Sequence, residues 1–227
     1  MIFSIDHIVF AASPRQSLEI TDRLDCAGFR PEAFSLDFPE IGAASESLSF
    51  KGGGFVEFVV ELDSTRSPQV WFNEVPRVVG LGFSSDDFEA DTWWSSEPEG
   101  WVMDEDHALP GGSRLNIHAA GPHEHLSDFF VFVMDRPDGR LQFPERSSGP
   151  RLRQLTFQGA QADQWKSRLE EWLRLPVRSD ILTVGDVELR FLPGAHPAVR
   201  VSPTFEVTSG GGDAPLATGR VELVVAQ

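Results

Sequence analysis

The sequence predicts an α+β chain assembled from three module-like β-α-β-β-β units. Two observations carry the prediction: the order strand, helix, three strands recurs along the chain, and the last strand of the first unit is echoed near the C-terminus. Gly54-Phe55-Val56-Glu57-Phe58-Val59-Val60 and Gly219-Arg220-Val221-Glu222-Leu223-Val224-Val225 agree at five of seven positions. The opening strands align as well, Asp6-His7-Ile8-Val9-Phe10 over Arg153-Gln154-Leu155-Thr156-Phe157, which sets His7 opposite Gln154 as Glu57 is opposite Glu222.

The first unit spans residues 1–62. Ile5 to Ala12 is an apolar, β-branched and aromatic run that reads as a strand. Ser13-Pro14-Arg15-Gln16 supplies a capping Ser, Pro at the first helical position and Gln three residues after the cap. Leu18, Ile20, Leu24 and Ala27 then form the expected apolar stripe of a helix that Gly28 stops. Extended pieces follow around Ala33 to Asp37, Glu46 to Phe50 and Gly54 to Leu62. After a linker, 63–75, the second unit at 76–136 repeats the pattern in degenerate form. It has a strand from Val78 to Phe83, a short helix begun by Ser84 to Asp87 and ending near Ser96, and strands at Trp101–Asp104, Arg114–His118 and Asp128–Met134. A second linker, 137–150, precedes the third unit at 151–227. There Leu152 to Gln158 is a strand, and Ala160 to Leu173 a helix with Trp165, Leu169, Trp172 and Leu173 on one side. Further strands are expected at Asp180–Val184, Asp186–Leu192, Ala198–Thr208 and Arg220–Val225, with a loop at Ser209–Asp213.

The 227 residues are 41% hydrophobic and 24% charged, with 19 basic and 35 acidic side chains and a formal charge of −16. Such a charge repels phosphate backbones and anionic membrane surfaces, so neither nucleic acid nor membrane is an expected partner. The charge is uneven: 5 basic and 12 acidic side chains in residues 1–75 (−7), 4 and 14 in 76–145 (−10), 10 and 9 in 146–227 (+1). This predicts that the acidic middle unit meets the Arg-rich third. The lone cysteine, Cys26, permits no internal disulfide and reads as a small core residue. The N-terminus has no basic region before an apolar run, and no stretch reaches the roughly 18 apolar residues of a membrane span. A cytoplasmic chain is expected.

A strand carrying Asp-His-Ile-Val-Phe-Ala, then a helix, then three strands ending in Gly-Phe-Val-Glu-Phe resembles the first module of the vicinal oxygen chelate superfamily, in particular its glyoxalase-like domain proteins. The likeness is sharpest over residues 4–62 and looser through Asp128-Phe129-Phe130-Val131-Phe132 and the third unit. It implies curled mixed sheets that pair into a cup holding a small molecule, and a divalent metal held from the first and last strands of each module. Position by position, the implied ligands are His7, Glu57, Gln154 and Glu222. Imidazole, carboxylate and amide oxygen suit Zn, Ni, Mn or Fe. The resemblance implies Glu57 or Glu222 as the catalytic proton carrier of a metal-dependent lyase or isomerase.

Period two places Gln154, Thr156 and Gln158 on one strand face, as candidate ligand-binding residues beside Trp101. His7 and Glu57 are polar groups among apolar neighbours, and they equally suit a hydrogen-bonded pair across the sheet. Unit two departs from the pattern, with Gly80 at the His7 position and Val131 or Phe132 at that of Glu57. If units one and two share the cup, the metal set is at most half present. Trp71, Trp93, Trp94 and Trp101 cluster in the acidic middle, either as packing residues or as faces for an organic cation. His118, His123 and His125 read as loop histidines, and Met103 to His107 as a charged turn. Three functional classes therefore stand: a metal-dependent lyase or isomerase, a metal-free binding protein of the bleomycin-resistance type, and a non-catalytic scaffold dimerising through its sheets.

Overall fold

The computed structural model describes residues 2–26, 30–51, 54–96, 100–108, 114–122, 128–136, 150–174, 177–178, 181–207 and 219–222. Its elements run, in chain order, β1 (Ile2–Ala12), α1 (Pro14–Cys26), β2 (Arg30–Phe38), β3 (Ala43–Ser49), β4 (Phe55–Glu61), α2 (Gln69–Phe72), β5 (Arg77–Ser85), α3 (Phe88–Asp91), β6 (Trp101–Ala108), β7 (Arg114–Gly121) and β8 (Phe130–Asp135). They continue with β9 (Arg151–Gln158), α4 (Ala162–Leu173), β10 (Val177–Arg178), β11 (Ile181–Val184), β12 (Val187–Leu192), β13 (Arg200–Val207) and β14 (Gly219–Glu222). The class is α+β, with a curled eight-stranded mixed sheet and a second sheet of six strands.

The larger sheet has the order β2-β3-β4-β1-β5-β8-β7-β6, so β2 and β6 are its two ends. Each half repeats the other: β4 lies parallel to β1 as β8 lies parallel to β5, and β1 and β5 join antiparallel at the centre. Units one and two thus share one cup. The second sheet, β10-β11-β12-β9-β13-β14, begins like unit one, with β12 parallel to β9 as β4 is to β1. It then departs, because β13 and β14 form an antiparallel pair on the far side of β9. The sequence echo between β4 and β14 is therefore not an echo of place: β14 lies beside β13, and the topological counterpart of β4 is β12.

Alternation along the strands builds two apolar layers. Ile8, Phe10, Val56, Phe58, Leu81, Val131 and Val133 point from the back of the large sheet into a core shared with Leu155, Phe157, Leu189 and Phe205 of the second sheet and with Trp165 and Leu169 of α4. Phe129 sits between units two and three, 4.8 Å edge-on to Trp165 and 6.0 Å from Phe157. The Trp94 indole N–H donates to the Trp172 carbonyl at 3.0 Å, and Arg174 stacks on Trp93. The middle and third units do meet, through aromatic packing, the Trp94–Trp172 hydrogen bond and the Arg174–Trp93 contact. Burial of such large rings dominates core energetics.

The helix start at Ser13 forms as expected, with Gln16 Oε1 accepting from the Ser13 N–H at 3.1 Å. The expected stripe on α1 does not hold at Leu18, which is 64% exposed while Ser17 is buried. The short helix of unit two starts later than expected, because Ser84 and Ser85 still belong to β5, and after Thr92 it goes on as a 3-10 turn over Trp93–Ser96, where its end is expected. Met103 to His107 is not a turn but part of β6, paired along its length with β7, which also takes in His118. The segment at 63–75 is more than a linker, since α2 buries Trp71 and Phe72 against the cup. His123, His125, the Ser209–Asp213 loop and residues 137–149 lie outside the described residues, as does the side chain of Cys26. Among the described residues no helix is long and apolar enough to cross a membrane.

Candidate functional site

The concave face of the large sheet encloses a cavity of about 270 Å³. Phe55, Glu57 and Val59 reach it from β4, His7 and Val9 from β1, Ser47 from β3, Phe130, Phe132 and Met134 from β8, and Trp101, Met103 and Glu105 from β6. Trp71 of α2 closes one side, and Glu40 and Ile41 lie at the rim. The volume falls just under the range of about 300–1,000 Å³ common for drug-sized ligands, so a fitting molecule is small.

His7 and Glu57 form the polar pair of a mainly aromatic and aliphatic wall, to which Ser47, Glu40 and Glu105 add the other polar side chains. The β1–β4 register offsets them by two residues, His7 opposite Phe55 and Glu57 opposite Val9, and both side chains emerge on the concave face. His7 Nε2 lies 3.6 Å from Glu57 Oε2, with the two side chains 8% and 13% exposed. The imidazole is stacked on Phe55 at 4.4 Å and meets the edge of Phe132 at 4.7 Å. Its other nitrogen, Nδ1, donates to Asp6 Oδ2 at 2.8 Å.

Asp6 points the opposite way along β1, into the seam between the two halves. Its Oδ1 accepts from Ser84 Oγ at 2.9 Å and from Arg136 Nε at 3.2 Å, and Asp6, Ser84 and Arg136 are all buried. Burial alone would raise the Asp6 pKa. The bond from His7, then the Arg136 and His7 charges and the Ser84 bond, bring it down to about 2. Asp6 is therefore an anion that accepts the His7 Nδ1 proton and leaves Nε2 facing the cavity beside Glu57.

The other half of the cup has a different chemistry. Opposite His7 on β5 stands Gly82, where a Cβ would lie 2.9 Å from His7 Nδ1 and 2.9 Å from the Phe132 ring. At Gly80 a Cβ would come 2.6 Å from the Phe130 ring. The two glycines of β5 thus make room for the two phenylalanines of β8, and Phe130 and Phe132 stack at 5.5 Å over the place where a second polar pair would stand.

The structure brings His7, Glu57 and Trp101 to one cavity and sets the other expected residues apart. Gln154, Thr156 and Gln158 lie on β9 of the second sheet, where Gln154 Nε2 donates to Thr156 Oγ1 at 2.8 Å and Gln158 is exposed. Glu222 pairs through its backbone with Thr204 on β13. The face that carries Gln154 is a surface of ion pairs, Arg153 with Glu206 and Asp186 and Arg190 with Glu188, each partly or fully exposed. The implied set of four metal ligands is not assembled. The cup brings two donors together, His7 and Glu57, where a catalytic zinc site uses three protein ligands. Among the described residues no group of three or more His, Cys, Asp or Glu could hold an ion. These residues do not fit a resident divalent metal.

Residues that alternation and spacing left unmarked complete the site. Asp6 carried a signal, since adjacent polar residues in an apolar strand must face both sides. Gly82 and Arg136 carried none, because their role depends on the β1–β5 pairing and on a contact 130 positions apart.

No family model matches the chain, and no curated protein matches it. Solved structures do. A hypothetical protein from Staphylococcus aureus matches with a TM-score of 0.61 at 9% identity, over 84% of this chain and 86% of that one. A variant of 4-hydroxymandelate synthase from Streptomyces coelicolor matches with a TM-score of 0.53 at 14% identity, over 84% of this chain and 62% of that one. A variant of methylmalonyl-CoA epimerase from Streptomyces coelicolor matches at 16% identity over 61% of this chain and 97% of that one, with a TM-score of 0.42. At these identities the likeness is one of fold.

Proposed function

We propose that this chain, which has the vicinal oxygen chelate fold, binds a small organic molecule in the cup of its first two units without a resident metal. The observation that carries the reading is the largely buried His7–Glu57 pair, a polar corner in a cavity walled mainly by aromatic and aliphatic side chains. A pocket of this kind holds an apolar body by burial and fixes its orientation through a few polar groups. Trp71 and Trp101 in the wall make occupancy visible by fluorescence.

The test is a thermal-shift and tryptophan-fluorescence screen of small aromatic compounds bearing a hydrogen-bond donor, run with and without divalent ions. Ligands should raise Tm without added metal, as binding to the native state alone requires. Ala119→Phe, which fills the cavity, should abolish the shift while keeping a cooperative melt. Stabilisation seen only with divalent ions, or none from any compound, overturns the reading.

The Asp6–His7 bond favours a second reading, in which the pair moves a proton on the bound molecule. An ionised carboxylate that fixes the tautomer and aim of an imidazole is how a base is held ready. Incorporation of solvent deuterium into a bound ligand's C–H, lost in His7→Gln, would support an isomerase or lyase activity; its absence across all binders would refute it.

A further inference from the structure

We infer that the molecule this cup selects is an organic cation, a small ammonium or amine on an aromatic body. The inference rests on the cup being a small-molecule site and names the class of that molecule. Three carboxylates line the cavity, Glu40, Glu57 and Glu105, together with the single imidazole of His7, and among the described residues no Lys or Arg does. Asp6 is met by Arg136 and by His7 Nδ1, and Glu57 Oε2 stands 3.6 Å from His7 Nε2, so a single imidazole faces two carboxylates in an apolar corner. A cation that reaches Glu57 supplies a further partner there.

An ammonium group reaches the Glu57 carboxylate while the aromatic body lies among Phe55, Phe132, Trp71 and Trp101. Ring faces add attraction for the cation itself. The approach is also acidic, since Glu40 and Glu105 stand on the way in and the middle third of the chain, residues 76–145, has 14 acidic against 4 basic side chains (−10). That field concentrates cations and repels anions before contact. A carboxylated or phosphorylated molecule would meet carboxylates at the rim and again at the base.

Three near-isosteric probes separate the claim from the reading beneath it: phenethylamine, phenethyl alcohol and hydrocinnamate, titrated calorimetrically into the full chain at pH 7 and moderate salt. Phenethylamine should bind about tenfold or more tighter than the alcohol, with hydrocinnamate weakest. Glu57→Gln should erase the preference of amine over alcohol while the melt stays cooperative. Equal binding of amine and alcohol, tightest binding of the acid, or a preference that survives Glu57→Gln overturns the cation claim alone. Binding by none of the three, together with a silent compound screen, overturns the claim along with the site.

Discussion

The two halves of the cup have the same strand order and opposite chemistry. In the first, β1 and β4 present His7 and Glu57; in the second, β5 and β8 present two glycines under two phenylalanines. The difference shows how a paired-module fold can give up a symmetric ligand set and keep its cavity. The polar half fixes orientation and charge, the aromatic half supplies area, and neither works without the seam that joins them. That seam is Asp6 on β1, Ser84 on β5 and Arg136 beyond β8.

Breaking the seam should have the largest effect. Asp6→Ala removes the buried carboxylate that Arg136 and His7 share and should lower stability by about 3–5 kcal/mol in urea unfolding, with a parallel loss for Arg136→Ala; a cost below about 1 kcal/mol would mean the halves are held otherwise. Acid probes the same contact. The folded Asp6 pKa of about 2 lies below the ordinary aspartate value of 3.8, so its contribution of about 2 kcal/mol is fully present above roughly pH 4 and is lost as pH falls toward 2. Asp6→Asn should flatten that stretch of the stability–pH curve. Making the second half resemble an ordinary strand is next: Gly82→Ala puts a methyl against His7 and Phe132 and should cost about 1–3 kcal/mol, with ligand affinity falling along with it. Removing charge but not shape from the polar half, by Glu57→Gln, should leave Tm of the free protein nearly unchanged and weaken amine binding about tenfold. The smallest effect should come from the second sheet. Gln154→Ala and Glu222→Gln should leave cup affinity unaltered and stability within about 0.5 kcal/mol, and a loss of binding from either would return unit three to the site.

Local signals made much of this readable in the sequence. The cap at Ser13, the strand alternation that aims His7 and Glu57 to one side, and the stripe Trp165, Leu169 and Leu173 on α4 are settled within a few residues of each position, and each matches the structure. What depends on partners was hidden. Leu18 is apolar, yet its side of α1 faces water, with the side chain 64% exposed. The Asp104–Asp106 carboxylates read as a turn because charge runs usually are one, whereas pairing with β7 makes them an edge strand with Trp101, Met103 and Glu105 turned inward. The echo of Glu57 at Glu222 is a likeness between two amphipathic strands, and only the hydrogen-bond order reveals that one borders a site and the other does not.

The eight-stranded sheet also ends in two strands, β2 and β6, that do not pair with each other. A closed barrel fixes its bore through its hydrogen bonds; an open one can change its curl while every ladder stays intact. The mouth between these edges can therefore yield to molecules of somewhat different girth. The base cannot, because His7 is pinned between Asp6, Phe55 and Phe132. Discrimination in such a vessel is stiff at its floor and compliant at its lip. It would tolerate a series of related amines while rejecting a single change of sign.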